Sequence, residues 1–380
     1  MLRVLYLIDS MTRNGTQSHI ANMVRWHDRR RFRPYVLCLQ GKGDLGRDLE
    51  AEGHPVASYG LKRIYASKAV GSYPGYVRFL KKERINVVHA YLFAAQVYGI
   101  PGARLAGVPL VIAGRRNAGV YWQARKYVMA RRISNALAHI QIANSHAVKE
   151  FIVEREGVPP EQVRVVYNGV DADRFAPPSG PHAGNADNTL TVGYVGSITR
   201  IKRVDFLLRA TARLIPKLPG LRLLVVGGGP GQGLRRNEGE TDRRLTELVR
   251  DLGLAGHLTF LSPQSRVEDE MKKMDLFVMP SVSEGMSNAI LEAMATGLPV
   301  LATDCGANRE VIIDGKTGHL FPCDDEKRLG ELILNLLQDT GERLRMGQEA
   351  RKRILERFTI RRMVEEMERV YVEELTCEKK

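Results

Sequence analysis

Two glutamates, Glu284 and Glu292, are separated by seven residues in the run SEGMSNAILEAMATGLPVLATD, which follows the apolar segment DLFVMPS. Ala289, Ile290, Ala293 and Met294 recur at helical spacing, so the pattern predicts a helix from about Ser287. Glu284 then falls in the loop before that helix, and Glu292 sits about a turn and a half inside it. The first N–H groups of such a helix, from Met286, Ser287 and Asn288, point outward with the helix dipole behind them and suit an anion such as a diphosphate. Gly285 lets the backbone come close to that ligand. A carboxylate aimed at the ligand can accept hydrogen bonds from two vicinal hydroxyls, as in ribose recognition. An ordinary amphipathic helix with two surface glutamates would carry the same spacing.

Other segments offer matching chemistry. LTVGYVGSITRIKRVDFLLRA reads as a strand ending at Gly196 and Ser197, then a loop with Arg200, Lys202 and Arg203, then a helix. Cations at a strand's carboxyl end can neutralise a diphosphate leaving group; a solvated basic loop is the plainer alternative. LRLLVVGGGPG puts Gly227, Gly228 and Gly229 straight after a strand, which leaves room for a ligand or simply makes a tight turn. In the first half, Asn14, Gly15 and Thr16 follow the first strand and precede a helical pattern. Gly15 can admit a substrate there, and a plain turn fits equally. His89, near a strand end, is either a ligand-facing or a structural histidine. Asp171-Ala172-Asp173 has the form of a metal-binding acidic pair but precedes a linker and reads as turn chemistry. We expect no metal.

These residues need elements to hold them. Short apolar runs at 3–8, 33–39, 56–59, 86–89, 110–113, 139–143 and 163–167 alternate with helical patterns. A second series follows at 190–195, 222–226, 258–261, 276–279, 300–302 and 318–321. Alternation of this kind predicts βαβ units and parallel sheets. The stretch 176–189, APPSGPHAGNADNT, has almost nothing to bury and reads as a linker. The expected architecture is therefore α/β: two doubly wound Rossmann-like domains, 1–175 and 190–357, facing each other across a ligand-binding cleft. Phe358, Ile360, Met363, Met367, Val370 and Tyr371 predict a last helix, expected to complete the first domain.

The chain has 380 residues, of which 44% are hydrophobic and 26% charged, which excludes disorder and coiled coil as the main theme. Four cysteines, none in a C-x-x-C pair, suggest reduced thiols in the cytoplasm. The apolar stretch 90–114 is broken by Gln96, Pro101, Arg104 and Pro109, so no membrane span is expected. Net charge is +14, and residues 1–170 hold 26 Lys and Arg against 11 Asp and Glu. Nucleic acid, an anionic membrane surface or an acidic small substrate could each answer that excess. No RNA- or DNA-binding motif accompanies it, so nucleic acid is not expected.

The whole pattern resembles the family 4 retaining glycosyltransferases of the GT-B fold, the group described as glycosyl transferases group 1. PSVSEGMSNAILEAMATGLPVLATDCGANREVI followed by DGKTG resembles the family's E-x7-E block. Asn168-Gly169-Val170-Asp171 is similar to its NGVD segment, IANSHAV to its ANS segment, and Asn14-Gly15-Thr16-Gln17 to its N-terminal glycine loop. The resemblance implies sugar transfer from a nucleotide diphosphate sugar, with UDP the expected carrier and no metal required. It implies Glu292 on the ribose, Glu284 on the donor sugar, and Lys202 with the N–H groups of Met286, Ser287 and Asn288 on the diphosphate. Two departures stand out. Ser197 occupies the place of the family's phosphate-binding arginine, which Arg200 would replace. The first-lobe loop GRRNAG has Arg116 or Asn117 where many members have histidine. Arg115, Arg116, Asn117 and His89 are therefore expected toward an acidic or phosphorylated acceptor. A glycan or lipid-linked acceptor is expected, with the basic first domain on the inner face of the cell membrane. A soluble transferase, a nucleotide-sugar-binding scaffold and a sugar-nucleotide epimerase are the competing readings.

Overall fold

The computed structural model describes residues 1–61, 67–117, 125–178, 189–228 and 239–377. They form two compact units, residues 1–169 with 360–380 and residues 170–359. Each predicted strand has a counterpart. In the first unit they are β1 (Leu2–Ile8), β2 (Phe32–Cys38), β3 (Val56–Ser58), β4 (Val87–Tyr91), β5 (Leu110–Arg115), β6 (Ile140–Ala143) and β7 (Val163–Val165). All pair in parallel in the order 3-2-1-4-5-6-7. In the second unit β8 (Leu190–Val195), β9 (Leu221–Val226), β10 (Leu258–Leu261), β11 (Leu276–Met279), β12 (Val300–Thr303) and β13 (Gly318–Phe321) follow the order 10-9-8-11-12-13.

The central strands are near-continuous aliphatic runs because helices cover both faces of each sheet. In both units the first strand lies between neighbours reached in opposite directions, β2 and β4 beside β1, β9 and β11 beside β8. Such a switch point leaves a crevice at the carboxyl ends of the strands, the place where open α/β sheets bind ligands.

The unit boundary differs from the expected one at residue 175. Val170 donates to the Phe358 carbonyl at 2.8 Å and bridges to Thr359, while Arg351 donates to the carbonyls of Ala172 and Phe175. These bonds bind 170–175 into the second unit. Asp171 accepts from the N–H groups of Asp173 and Arg174, the turn anticipated for that acidic pair. Of the expected linker, residues 179–188 lie outside the described residues. The last helix, Ile360–Cys377, buries Ile360, Met363, Val364, Met367, Val370 and Tyr371 in the core of the first unit. No helix among the described residues is long and apolar enough to cross a membrane.

Candidate active site

In the second unit the helix runs Asn288–Ala295 with Ser287 at its N-cap in extended conformation, one residue from the expected start. The loop before it is held from three sides. The Val282 N–H donates to the Ile201 carbonyl at 2.9 Å, tying this loop to the short turn Arg200–Lys202. Thr303 donates its hydroxyl to the Ser281 carbonyl, and the Cys305 thiol does so at 3.2 Å. Gly306 lies against the backbone of Glu284; a Cβ there would meet the Glu284 carbonyl oxygen at 1.9 Å, and its φ of +50° favours glycine. Gly306 was not among the expected site residues, although a glycine just past a strand end was the available signal.

The two loops bring Lys202 Nζ to 2.5 Å from Glu284 Oε1. Both side chains are largely buried, so the pair is shielded from solvent screening. The geometry leaves a cation and a carboxylate side by side at the end of β8 and β11. Tyr194 stiffens the neighbouring turn by donating its hydroxyl to the Ser197 carbonyl at 2.9 Å. Burial, and then the Glu284 charge, push the Tyr194 phenol well above its ordinary range, so it stays a donor. Ser197 itself is exposed. Arg200 is exposed too and lines a groove with Arg209, Glu247 and Asp251; no described hydrogen bond joins it to Glu284. Gly196 and Gly227 meet backbone to backbone, a Cβ on Gly227 falling 2.1 Å from the Gly196 oxygen. Gly228 is buried, and its N–H donates to the Leu261 carbonyl, so it closes the β9 turn. Gly229 lies outside the described residues.

Glu292 has a different environment. Its carboxylate makes no hydrogen bond or ion pair among the described residues. Burial, against the opposing pull of Arg174, raises it to about 7 from an ordinary 4.5, and the Glu268 charge adds to the rise. Arg174 itself is held by Glu268 at 2.7 Å. Glu292 is half-buried, and a part-desolvated carboxylate without a partner costs free energy that a pair of ligand hydroxyls would recover.

In the first unit, Gly15 opens the helix Gly15–Trp26, so Asn14, Gly15 and Thr16 form a helix start behind β1. A cavity of about 320 Å³ lies at the carboxyl ends of β1, β4 and β5, lined by Asp9, Leu92, Phe93, Gln96, Arg116 and Asn117. Asp9 ends the buried run LRVLYLID and was not expected at a site; a charge closing an apolar strand was the signal. It accepts from the Ala95 N–H at 3.0 Å at the start of the helix Phe93–Leu105. Burial lifts its carboxyl to about 6, although the Ala95 N–H pulls the other way. Leu92, the residue before that helix, is held at φ +66°, a conformation costly for a leucine.

Two expectations fail here. Arg115 does not present a free guanidinium: it is buried, donates bidentately to Glu156 and bonds Gln141 at 3.0 Å, while Arg131 shares Glu156. Arg115 lines the same cavity as Arg116, but its guanidinium is committed to the Glu156 ion pair that makes its burial tolerable. His89 is not at a surface either. It is fully buried in β4 and belongs to a chain of rings: Glu368 to His27 at 2.8 Å, His27 to Tyr6 at 2.6 Å, Tyr371 to His89 at 2.8 Å and His19 to Tyr91 at 3.1 Å. Burial first, and then the nearby Arg116 charge, hold His19 and His89 well below their ordinary range, hence neutral. Arg116 lines the cavity, and its Nε has no partner among the described residues.

Comparison with known proteins agrees with this geometry. The model of the family glycosyl transferases group 1 matches residues 181–353, and that of glycosyltransferase family 4 matches residues 13–174. A D-inositol 3-phosphate glycosyltransferase of Nocardia farcinica is 35% identical over 280 residues, 69% of this chain and 61% of that protein. The putative glycosyltransferase EpsF of Bacillus subtilis is 28% identical over 320 residues, 80% of this chain and 79% of its own. The match thus spans about three fifths of the length of the inositol-phosphate relatives. Among solved structures, Anabaena HepE in complex with UDP superposes with a TM-score of 0.85 at 19% identity over 98% of this chain and all of that one. The sucrose-phosphate synthase of Thermosynechococcus elongatus does so at 0.82, 18% identity, and 99% and 100% coverage. The matched halves, the two switch-point sheets and the Glu284–Lys202 pair make the chain a member of the glycosyl transferases group 1, glycosyltransferase family 4, with the GT-B fold.

Proposed function

We propose that this protein transfers a sugar from a nucleoside diphosphate sugar to a hydroxyl of an acceptor, with retention at the anomeric carbon. The observation that carries this reading is the part-buried Lys202–Glu284 pair beside the unpartnered Glu292. Glu292 accepts the two ribose hydroxyls. Glu284 accepts hydroxyls of the donor sugar. Lys202 and the N–H groups at the start of the helix Asn288–Ala295 hold the diphosphate and take up the charge that develops on it as the glycosidic bond breaks. These fixed charges do the work a metal does elsewhere, so no metal is required. UDP is the proposed carrier, in line with the UDP held by Anabaena HepE. Arg200 takes the part of a phosphate-binding arginine absent at Ser197.

The acceptor binds in the first unit, at the cavity that holds Asp9 and Arg116. Arg116 suits an anionic group on the acceptor, and Asp9 suits its hydroxyls. A lipid-linked or polysaccharide precursor at the cytoplasmic face of the membrane is the first reading, supported by the basic first unit. A soluble phosphorylated polyol is the second, favoured by the inositol-phosphate relatives. Titration calorimetry of UDP, GDP and ADP against wild type and Glu292→Ala tests the donor site. One nucleotide binding in wild type and not in the variant supports it. Equal binding to both proteins would refute the role of Glu292.

A further inference from the structure

Between Glu52 and Glu150 the chain carries fifteen Lys and Arg and a single carboxylate, Glu83. Three helices from this span, Ser67–Lys82, Phe93–Leu105 and Arg125–Leu137, contain no acidic residue. The helix Phe93–Leu105 packs against both of the others, so the three cover one side of the first unit's sheet.

The helix Arg125–Leu137 is amphipathic on both of its sides. Inward, Tyr127 meets Phe93 edge-on at 5.5 Å, and Arg131 lies over Phe93 and pairs with Glu156. Outward, the exposed residues recur at Arg125, Val128, Met129, Arg132, Ile133 and Ala136, one continuous stripe at helical spacing. Val128, Met129 and Ile133 are 38%, 58% and 51% exposed, a solvent face where charged or polar residues are the rule. On the helix Ser67–Lys82, Pro74 and Val77 line a shallow apolar groove with Leu105, which is 68% exposed, and Arg78, Lys81 and Lys82 rim it.

We propose that the outer stripe of helix Arg125–Leu137, with the groove of Pro74, Val77 and Leu105, is a docking surface for an anionic lipid bilayer. This deepens the membrane-facing reading of the previous subsection and rests on it. Basic groups alone would serve any polyanion. Methionine, isoleucine, valine and leucine side chains left in water among them gain only from a partner with an apolar interior beneath its phosphates. A second copy of the chain does not fit, because two such surfaces would bring like charge against like. Arg131, on the inner side of the same helix, lines the cavity that holds Asp9 and Arg116. Docking this helix therefore sets that cavity beside the lipid headgroups, where a lipid-linked acceptor would present its phosphate.

The test is co-flotation of the full chain with vesicles of phosphatidylcholine alone or with about one third phosphatidylglycerol, at low and high salt. Wild type should float with the anionic vesicles and fall off at high salt. Val128→Ser/Met129→Ser/Ile133→Ser should lower the partition by about tenfold or more, and Arg125→Glu/Arg132→Glu by a similar factor. Leu344→Ser/Leu355→Ser, which removes comparably exposed apolar groups from the second unit, should leave it unchanged. Circular dichroism melts check that each variant is folded, and UDP titration should give one affinity for all of them. Absence of wild-type binding, or full binding by the serine variant, would overturn the proposal. Heparin binding with the serine variant still floating fully would identify a polyanion site in place of a bilayer one. Intact flotation with no binding of UDP, GDP or ADP would instead sink the transfer reading and leave this surface standing.

Discussion

The two units share one strand order over six strands, β7 being extra in the first, but use its switch point differently. At the ends of β8, β9 and β11 the second unit brings glycines into backbone contact and sets its charges on two short loops and the helix behind them: Lys202 against Glu284, and Glu292 in the helix without a partner. At the ends of β1, β4 and β5 the first unit buries rings. Tyr6, His19, His27, His89, Tyr91 and Tyr371 interlock beneath a cavity that exposes Asp9 and Arg116. One switch point is built from close backbone approach, which suits a diphosphate that binds through N–H groups. The other is built from a packed, hydrogen-bonded aromatic and imidazole network, which fixes a shape. The same topology thus gives one site set by backbone geometry and one set by side-chain packing.

Removing the cation should break the second unit's site most severely. Lys202→Ala should lower sugar-transfer turnover by about 10²–10³-fold, as loss of one transition-state donor does, with folding retained on a melt. Turnover within threefold of wild type would remove Lys202 from the reaction.

The first unit should respond to its ion pair mainly in stability. Arg115→Ala leaves Glu156 to Arg131 and Asn135 alone and should cost about 1–3 kcal/mol in urea unfolding. Arg116→Ala should instead weaken acceptor binding with donor binding kept. If the two variants exchanged these phenotypes, the division between structural and ligand-facing arginine would be wrong.

Gly306→Ala sharpens the claim that backbone closeness sets the second site. The clash with Glu284 and the positive φ should cost about 1–3 kcal/mol and impair nucleotide binding with it. A stable variant with normal affinity would show that the loop adapts.

The smallest expected effect is a pH dependence. Glu292 titrates at about 7 in the folded chain and accepts hydroxyls only when ionised. Nucleotide affinity should therefore rise as pH increases from 6 to 8, and calorimetry should find the slope absent in Glu292→Gln. Because the native carboxyl lies above its ordinary 4.5, the folded state binds more protons between 4.5 and about 7. Stability without ligand should consequently fall as pH rises through that window. A flat affinity profile would mean that ribose hydroxyls do not meet an ionised Glu292.

Much of this was legible in the letters. Strand positions followed from aliphatic runs buried on both faces, and the loop-then-helix placement of Glu284 and Glu292 followed from one helical period. The boundary near 170 was not, because Val170 and Arg174 join the second unit through partners more than ninety positions away, Phe358 and Glu268. Arg115 and Arg116 are identical in type and adjacent, and a strand alternates its side chains. Both line the cavity, and which of them gives its guanidinium to an ion pair depends on where β5 ends and on Glu156 forty-one residues later.

By itself, the sequence determined the α/β class, the two sheets, the glycine turns and the candidate donor carboxylates, since all of these rest on local periodicity and residue chemistry. Only the tertiary structure decided that Lys202 rather than Arg200 meets Glu284, that His89 is locked to Tyr371 of the last helix, and that Glu292 stands without a partner. Pairing and burial are properties of long-range contacts, and the free energy of a charge depends on them more than on its neighbours in the chain.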